Sequence, residues 1–155
     1  MTTRRALLGA GAISLLATGC GPEEEPKIDA GAVLDEQLRV SQAVVDAYAN
    51  VPAVGALRSN AERRVRRVDA ALEPLRGESG TLEAKQTAET GLEAALVAES
   101  VALRAHVAAV GLLEDREWRE LLGGLIVDTA SNQAQLRLLL DQPPLPTSFP
   151  GEPVR

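Results

Sequence analysis

The chain has one cysteine, one histidine and a single tryptophan, tyrosine and phenylalanine in 155 residues. A lone thiol forms no internal disulfide, and so few aromatics leave little from which to build a β-sheet core. No glycine loop of the kind that cradles phosphate is present: Gly9-Ala10-Gly11 stands in an N-terminal apolar stretch, and Gly123-Gly124 lies inside a helical pattern. Neither ExxH nor HxxxH occurs, so no helix turn offers two ligands to one metal ion. Positive charge is scarce too. The formal net charge of −6 becomes −8 once Arg4 and Arg5 leave with a leader, because residues 1–20 contain no acid and no lysine. Such a balance excludes nucleic acid as the main partner, since phosphate binding needs a concentrated positive field.

What the chain does have is alanine, leucine, glutamate and arginine, the residues that lose least on entering a helix. One all-α domain is the expectation.

The N-terminus reads as a charged start, Thr2-Thr3-Arg4-Arg5, then twelve small apolar residues from Ala6 to Ala17 broken only by Gly and Ser. Twelve residues are too few to span a bilayer as a helix, so the segment is a processing signal. Ala17-Thr18-Gly19-Cys20 resembles the box at which bacterial lipoproteins are cleaved and acylated. Position argues the same way: Cys20 sits at a leader boundary and is followed by Gly21-Pro22-Glu23-Glu24-Glu25-Pro26, a stretch that cannot pack a core. Two or more acyl chains, at roughly 0.8 kcal/mol per buried methylene, hold a protein stably to a membrane where one does not. Thr3-Arg4-Arg5-Ala6-Leu7-Leu8 also resembles a twin-arginine export signal, although ordinary export accepts the same charge. The expected organisation is a signal peptide over 1–19, an acylated cysteine and tether over 20–31, a bundle over 32–141 and a proline-rich tail over 142–155.

Four segments then carry helical periodicity between Pro and Gly punctuation. The first, about 30–50, places Leu34, Leu38, Ser41, Val45 and Tyr48 on one face. The second, about 53–76, offers Leu57, Ala61, Val65, Val68, Leu72 and Leu75. The third, about 81–113, starts at a Thr81 cap and carries Leu92, Leu96, Glu99, Leu103, His106, Val110 and Leu113. The fourth, about 115–140, repeats the spacing at Trp118, Leu122, Leu125, Thr129, Asn132, Leu136 and Leu139. Short connections between such segments predict an antiparallel up-down-up-down four-helix bundle. The tail is expected to fold back with Leu145 and Phe149 as anchors, or else to serve as an extended ligand.

Within these seams Ser41, Tyr48, Glu99, His106, Thr129 and Asn132 form a candidate buried polar layer, with Glu99 hydrogen-bonded to Tyr48, Asn132 or Thr129. Glu99 and His106 lie two turns apart, roughly 10.5 Å along one face, too far to share a metal ion directly. A triad assembled from Ser100 or Ser131 with His106 and Asp128 lacks the strained turn that presents a nucleophile. No cofactor and no catalytic residue are expected. The basic run Arg63, Arg64, Arg66 and Arg67 is a solvated helix face or, together with Phe149, a docking patch.

The leader, the four segments and the ending Leu136-Arg137-Leu138-Leu139-Leu140, followed by Pro143-Pro144-Leu145-Pro146 and Phe149-Pro150-Gly151, resemble small actinobacterial lipoproteins with a ferritin-like domain. The resemblance implies that the di-metal ligands of ferritin-like bundles fall on Ser41 in the first helix, Val65 and Val68 in the second, Glu99 in the third, and Thr129 and Asn132 in the fourth. Only Glu99 could ligate. The expectation is therefore a non-catalytic envelope lipoprotein, anchored in the membrane through Cys20 and binding an unidentified envelope protein. The alternatives are an apolar-ligand bundle with room at Ala61 and Ala95, or a ferritin-like redox protein.

Overall fold

The computed structural model describes residues 28–49, 51–76 and 90–145. Within them the protein is all-helical, with four long helices and no strand.

Helix α1 (Ala30–Ala47) begins at Asp29, whose carboxylate accepts hydrogen bonds from the backbone of Gly31 and Ala32 at 2.9 and 3.3 Å, the short acidic side chain satisfying donors that a first turn leaves free. A 3-10 turn at Pro52–Val54 leads into α2 (Gly55–Leu72), and a second at Glu73–Leu75 ends it where Pro74 withdraws a backbone donor. Helix α3 runs over Leu92–Val110 and α4 over Arg116–Leu139. Asp115 caps α4 through the Glu117 amide at 2.7 Å. At the other end of α4, Asp141 adopts a φ of 54° while Gln142 and Asp141 donate backward to Arg137 and Leu138, the left-handed stop that closes many helices.

Three expectations are corrected by these boundaries. A third helix unbroken from Thr81 does not form, because Thr90 and Gly91 are non-helical and Gly91 has a φ of 133°, a conformation that side-chain-bearing residues avoid. Thr81 itself lies outside the described residues. Leu145, offered as a tail anchor, is 71% exposed; Phe149 falls outside the described residues.

The third correction concerns chain order. Gly91 donates to the Ala47 carbonyl, so α3 starts where α1 ends. Tyr48 then meets Glu99, and Gln37 meets His106, so α3 runs back along α1. On the opposite side Asn60 meets Asn132 and Arg67 meets Asp128, so α4 runs back along α2. Helix α1 packs on α2 and α3, and α4 on α3 and α2. Neighbours are antiparallel, yet α2 and α3 sit diagonally and point the same way. The order of the four helices is therefore up-down-down-up.

Apolar packing divides into two halves. Val44, Ala47, Val54, Leu57, Ala61, Ala95 and Leu136 fill the end where α1 finishes, with Tyr48 among them. Leu34, Val68, Leu72, Ala109, Leu113, Leu122 and Leu125 fill the other, with Trp118 half-buried against them. The innermost positions differ by one residue from the expected seams: Gln37 and Val44 replace Leu38 and Val45, Arg64 replaces Val65, and Ala95, Ala102 and Ala109 replace Leu96, Leu103 and Val110. Leu139 is exposed. No helix among the described residues is long and apolar enough to cross a membrane.

Candidate functional site

Between the two apolar halves lies a set of buried polar side chains contributed by all four helices. Ser41, Tyr48, Glu99, His106, Thr129 and Asn132 are each at most 1% exposed, as is Arg64, while Gln37 is 3% exposed. They do not form one layer. Tyr48, Arg64, Glu99, Thr129 and Asn132 make one network; His106 and Gln37 make a separate pair; Ser41 joins neither.

The network centres on one oxygen. Glu99 Oε1 accepts from Arg64 Nη2 at 2.7 Å, from the Tyr48 hydroxyl at 2.8 Å and from Asn132 Nδ2 at 2.9 Å. Arg64 reaches on to Thr129 Oγ1 at 2.6 Å, so its planar fork ties the diagonal pair α2 and α3 to α4. Asn132 also donates to the Leu57 carbonyl at 3.0 Å and accepts from Asn60 at 3.1 Å. A buried carboxylate is thereby matched by a buried guanidinium and two neutral donors, the condition under which charge survives in a core. Burial first, and then the Glu99 charge, hold the Tyr48 phenol well above its ordinary value of 10.0.

His106 lies toward the other apolar half. Its Nδ1 is 2.8 Å from Gln37 Oε1, and Gln37 Nε2 faces the Val33 carbonyl at 3.4 Å. Because that carbonyl only accepts, the Gln37 amide nitrogen must point to it and its oxygen to the imidazole; Nδ1 then carries the proton. Burial, reinforced by the Arg64 charge, pushes His106 down to about 4, so the ring is neutral at pH 7.

Arg64 is the principal correction to the expected site. A solvated or docking face is the expectation for it, and the structure instead buries it on the axis, 1% exposed. Arg63 and Arg66 are exposed. Arg67 pairs with Asp128 at 3.0 Å and passes over Gly124, where a Cβ would run into its guanidinium. The second-helix ligand position assigned to Val65 is likewise displaced: Val65 is half-buried at the margin, and Arg64 faces Glu99. Arg64 and Gln37 were both missed, although the seam Leu57, Ala61, Arg64, Val68, Leu72 has spacings as helical as the one chosen.

The site's chemistry is correspondingly limited. Among the described residues no group of three or more His, Cys, Asp or Glu side chains converges. Ser100 is engaged by Gln133 and Leu96, and Asp128 by Arg67, while the His106 ring is bonded to Gln37. Two open grooves lie along α2 and α4 instead. One of about 470 Å³ is lined by Arg67, Ala71, Pro74, Trp118 and Leu121, and one of about 360 Å³ by Val54, Leu57, Leu138 and Leu139. Ala61 and Ala95, expected to leave room between helices, are buried in the packed half around Tyr48.

No family model, curated protein or solved structure matches the chain.

Proposed function

We propose that the protein is a non-catalytic lipoprotein of the bacterial cell envelope, held on the extracytoplasmic face of the membrane by acyl chains on Cys20. Its bundle serves as a protein-interaction or scaffolding module. The observation that carries the non-catalytic part is the Arg64–Glu99 ion pair on the axis. A guanidinium already supplies the positive charge that Glu99 needs, and it stands where a cation would otherwise be held.

We read the arrangement as a ferritin-like bundle whose di-metal centre has been replaced. Support comes from α2 and α3 lying diagonally and pointing the same way, an order that ferritin-like folds share and simple up-down-up-down bundles lack. Ser41, Glu99, Thr129 and Asn132, onto which the resemblance maps the ligands, are all buried on the axis. Arg64 stands in for the second-helix ligand. For the interaction role, support comes from the exposed valines of α3, Val97, Val101 and Val107, together with the exposed Arg63 and Arg66. The apolar-ligand alternative keeps one favouring observation, the groove beside Trp118.

The test is production of the full chain in a bacterium fed an alkyne analogue of palmitate. The reading expects label on the protein and its recovery with membranes, both lost in Cys20→Ser. Unlabelled protein recovered free of membranes would overturn the anchoring, and a stoichiometric transition metal would overturn the non-catalytic reading.

A further inference from the structure

Three polar atoms on the facing sides of α1 and α3 have no hydrogen-bond partner among the described residues: Ser41 Oγ, Glu99 Oε2 and His106 Nε2. All three residues are at least 99% buried. From these atoms we infer that the α1–α3 side of the bundle axis is a built hydration site, in which ordered water serves Glu99 Oε2, Ser41 Oγ and His106 Nε2.

Helix register places the three residues along one strip. Helices α1 and α3 are antiparallel, with Gln37 against His106 and Tyr48 against Glu99. Ser41, one turn beyond Gln37, therefore opposes Ala102, one turn before His106. Serine facing alanine is the small-residue pair in this strip, bracketed by the two hydrogen-bonded pairs. Side chains lean toward the N-terminus of their own helix, so His106 leans toward the level of Ala102 and Ser41 toward that of His106.

The chemistry selects the guest. With Nδ1–H committed to Gln37, His106 Nε2 is a bare acceptor. Glu99 Oε2 is a second acceptor, because the three donors that reach this carboxylate all go to its other oxygen. Ser41 can donate or accept. Two acceptors two turns apart, with one hydroxyl between them, call for guests that can each donate and also accept, which describes more than one water. An anion finds only lone pairs there apart from the serine. A cation meets the Arg64 guanidinium, already bound to Glu99 and near enough to bear on His106. Neutral donors satisfy these groups without adding charge.

The site is tested on the purified full chain by water relaxation dispersion, which counts molecules that exchange more slowly than the protein tumbles. Water-to-proton cross-relaxation to the ring of His106, unambiguous because it is the sole histidine, supplies the local readout. The expected result is long-lived water with cross-peaks to His106, and loss of about one such molecule in Ser41→Ala, which removes a hydroxyl and little volume. A ring that shows no contact with water in the wild-type chain would overturn the inference without requiring any variant to fold. So would an unchanged dispersion amplitude in folded Ser41→Ala, or a stoichiometric metal bound at Nε2.

Discussion

Replacing Arg64 by methionine retains an unbranched apolar stem and removes the guanidinium, so that Glu99 keeps Tyr48 and Asn132 as donors but loses its counter-charge. The hydrogen bonds lost are those to Glu99 at 2.7 Å and Thr129 at 2.6 Å. Breaking a buried pair from one side costs about 3–5 kcal/mol, because the remaining charge stays in the core unmatched. Against a total stability of about 5–15 kcal/mol, that is a large fraction. At about 4 °C per kcal/mol, where the ranges for smaller and larger domains meet, the midpoint falls by roughly 12–20 °C. Glu99→Gln, which keeps the shape and removes the charge, is the matching single variant. The double variant leaves neither charge exposed to a mismatch and therefore loses less than the sum of the two, with a coupling of about 2 kcal/mol. Urea denaturation of the four proteins, followed by helical circular dichroism, measures each quantity. Single losses below about 1 kcal/mol that simply add would refute the ion pair as the axis's organising contact.

Acid sensitivity follows from His106. Its folded value of about 4 lies below the ordinary 6.5, so between these pH values the unfolded chain takes up a proton that the folded chain refuses. The contribution is fully present above pH 6.5 and declines as pH falls toward 4, a total of about 3 kcal/mol, with a His106 ring titration by NMR as the direct check. Tyr48 is the sole tyrosine; with its phenol held above the ordinary range, absorbance at the phenolate band should stay flat on alkaline titration until the fold is lost. Gly123 has open space around its Cβ position inside α4, so Gly123→Ala should stabilise by about 1 kcal/mol in thermal melts. Gly91→Ala should instead cost about 1–3 kcal/mol, since the φ of 133° suits glycine alone.

The helices and their polar inward positions were legible because the four-three spacing of Ser41, Tyr48, Glu99, His106, Thr129 and Asn132 needs no knowledge of neighbours. Arg64 was not legible by the same rule. A helix stripe wide enough to face a core includes adjacent residues, so Val65 and Arg64 compete for one position, and hydrophobicity alone favours the valine. The deciding term is nonlocal: Glu99, buried on another helix, requires a cation, and Arg64 is the residue whose register reaches it. Gln37 escaped for the same reason, since its partner His106 is distant in the chain. Chain order is not legible from periodicity, because a helical pattern that continues ahead of Leu92 implies a short connection, whereas Thr90 and Gly91 are non-helical.

The central claim is that a guanidinium, rather than a metal, supplies the positive charge on the bundle axis. Elemental analysis of the full chain, purified natively from a bacterium without chelators, tests it most directly. The account predicts transition-metal content far below one ion per chain; one or two iron, manganese or zinc ions per chain, retained through gel filtration, would contradict it.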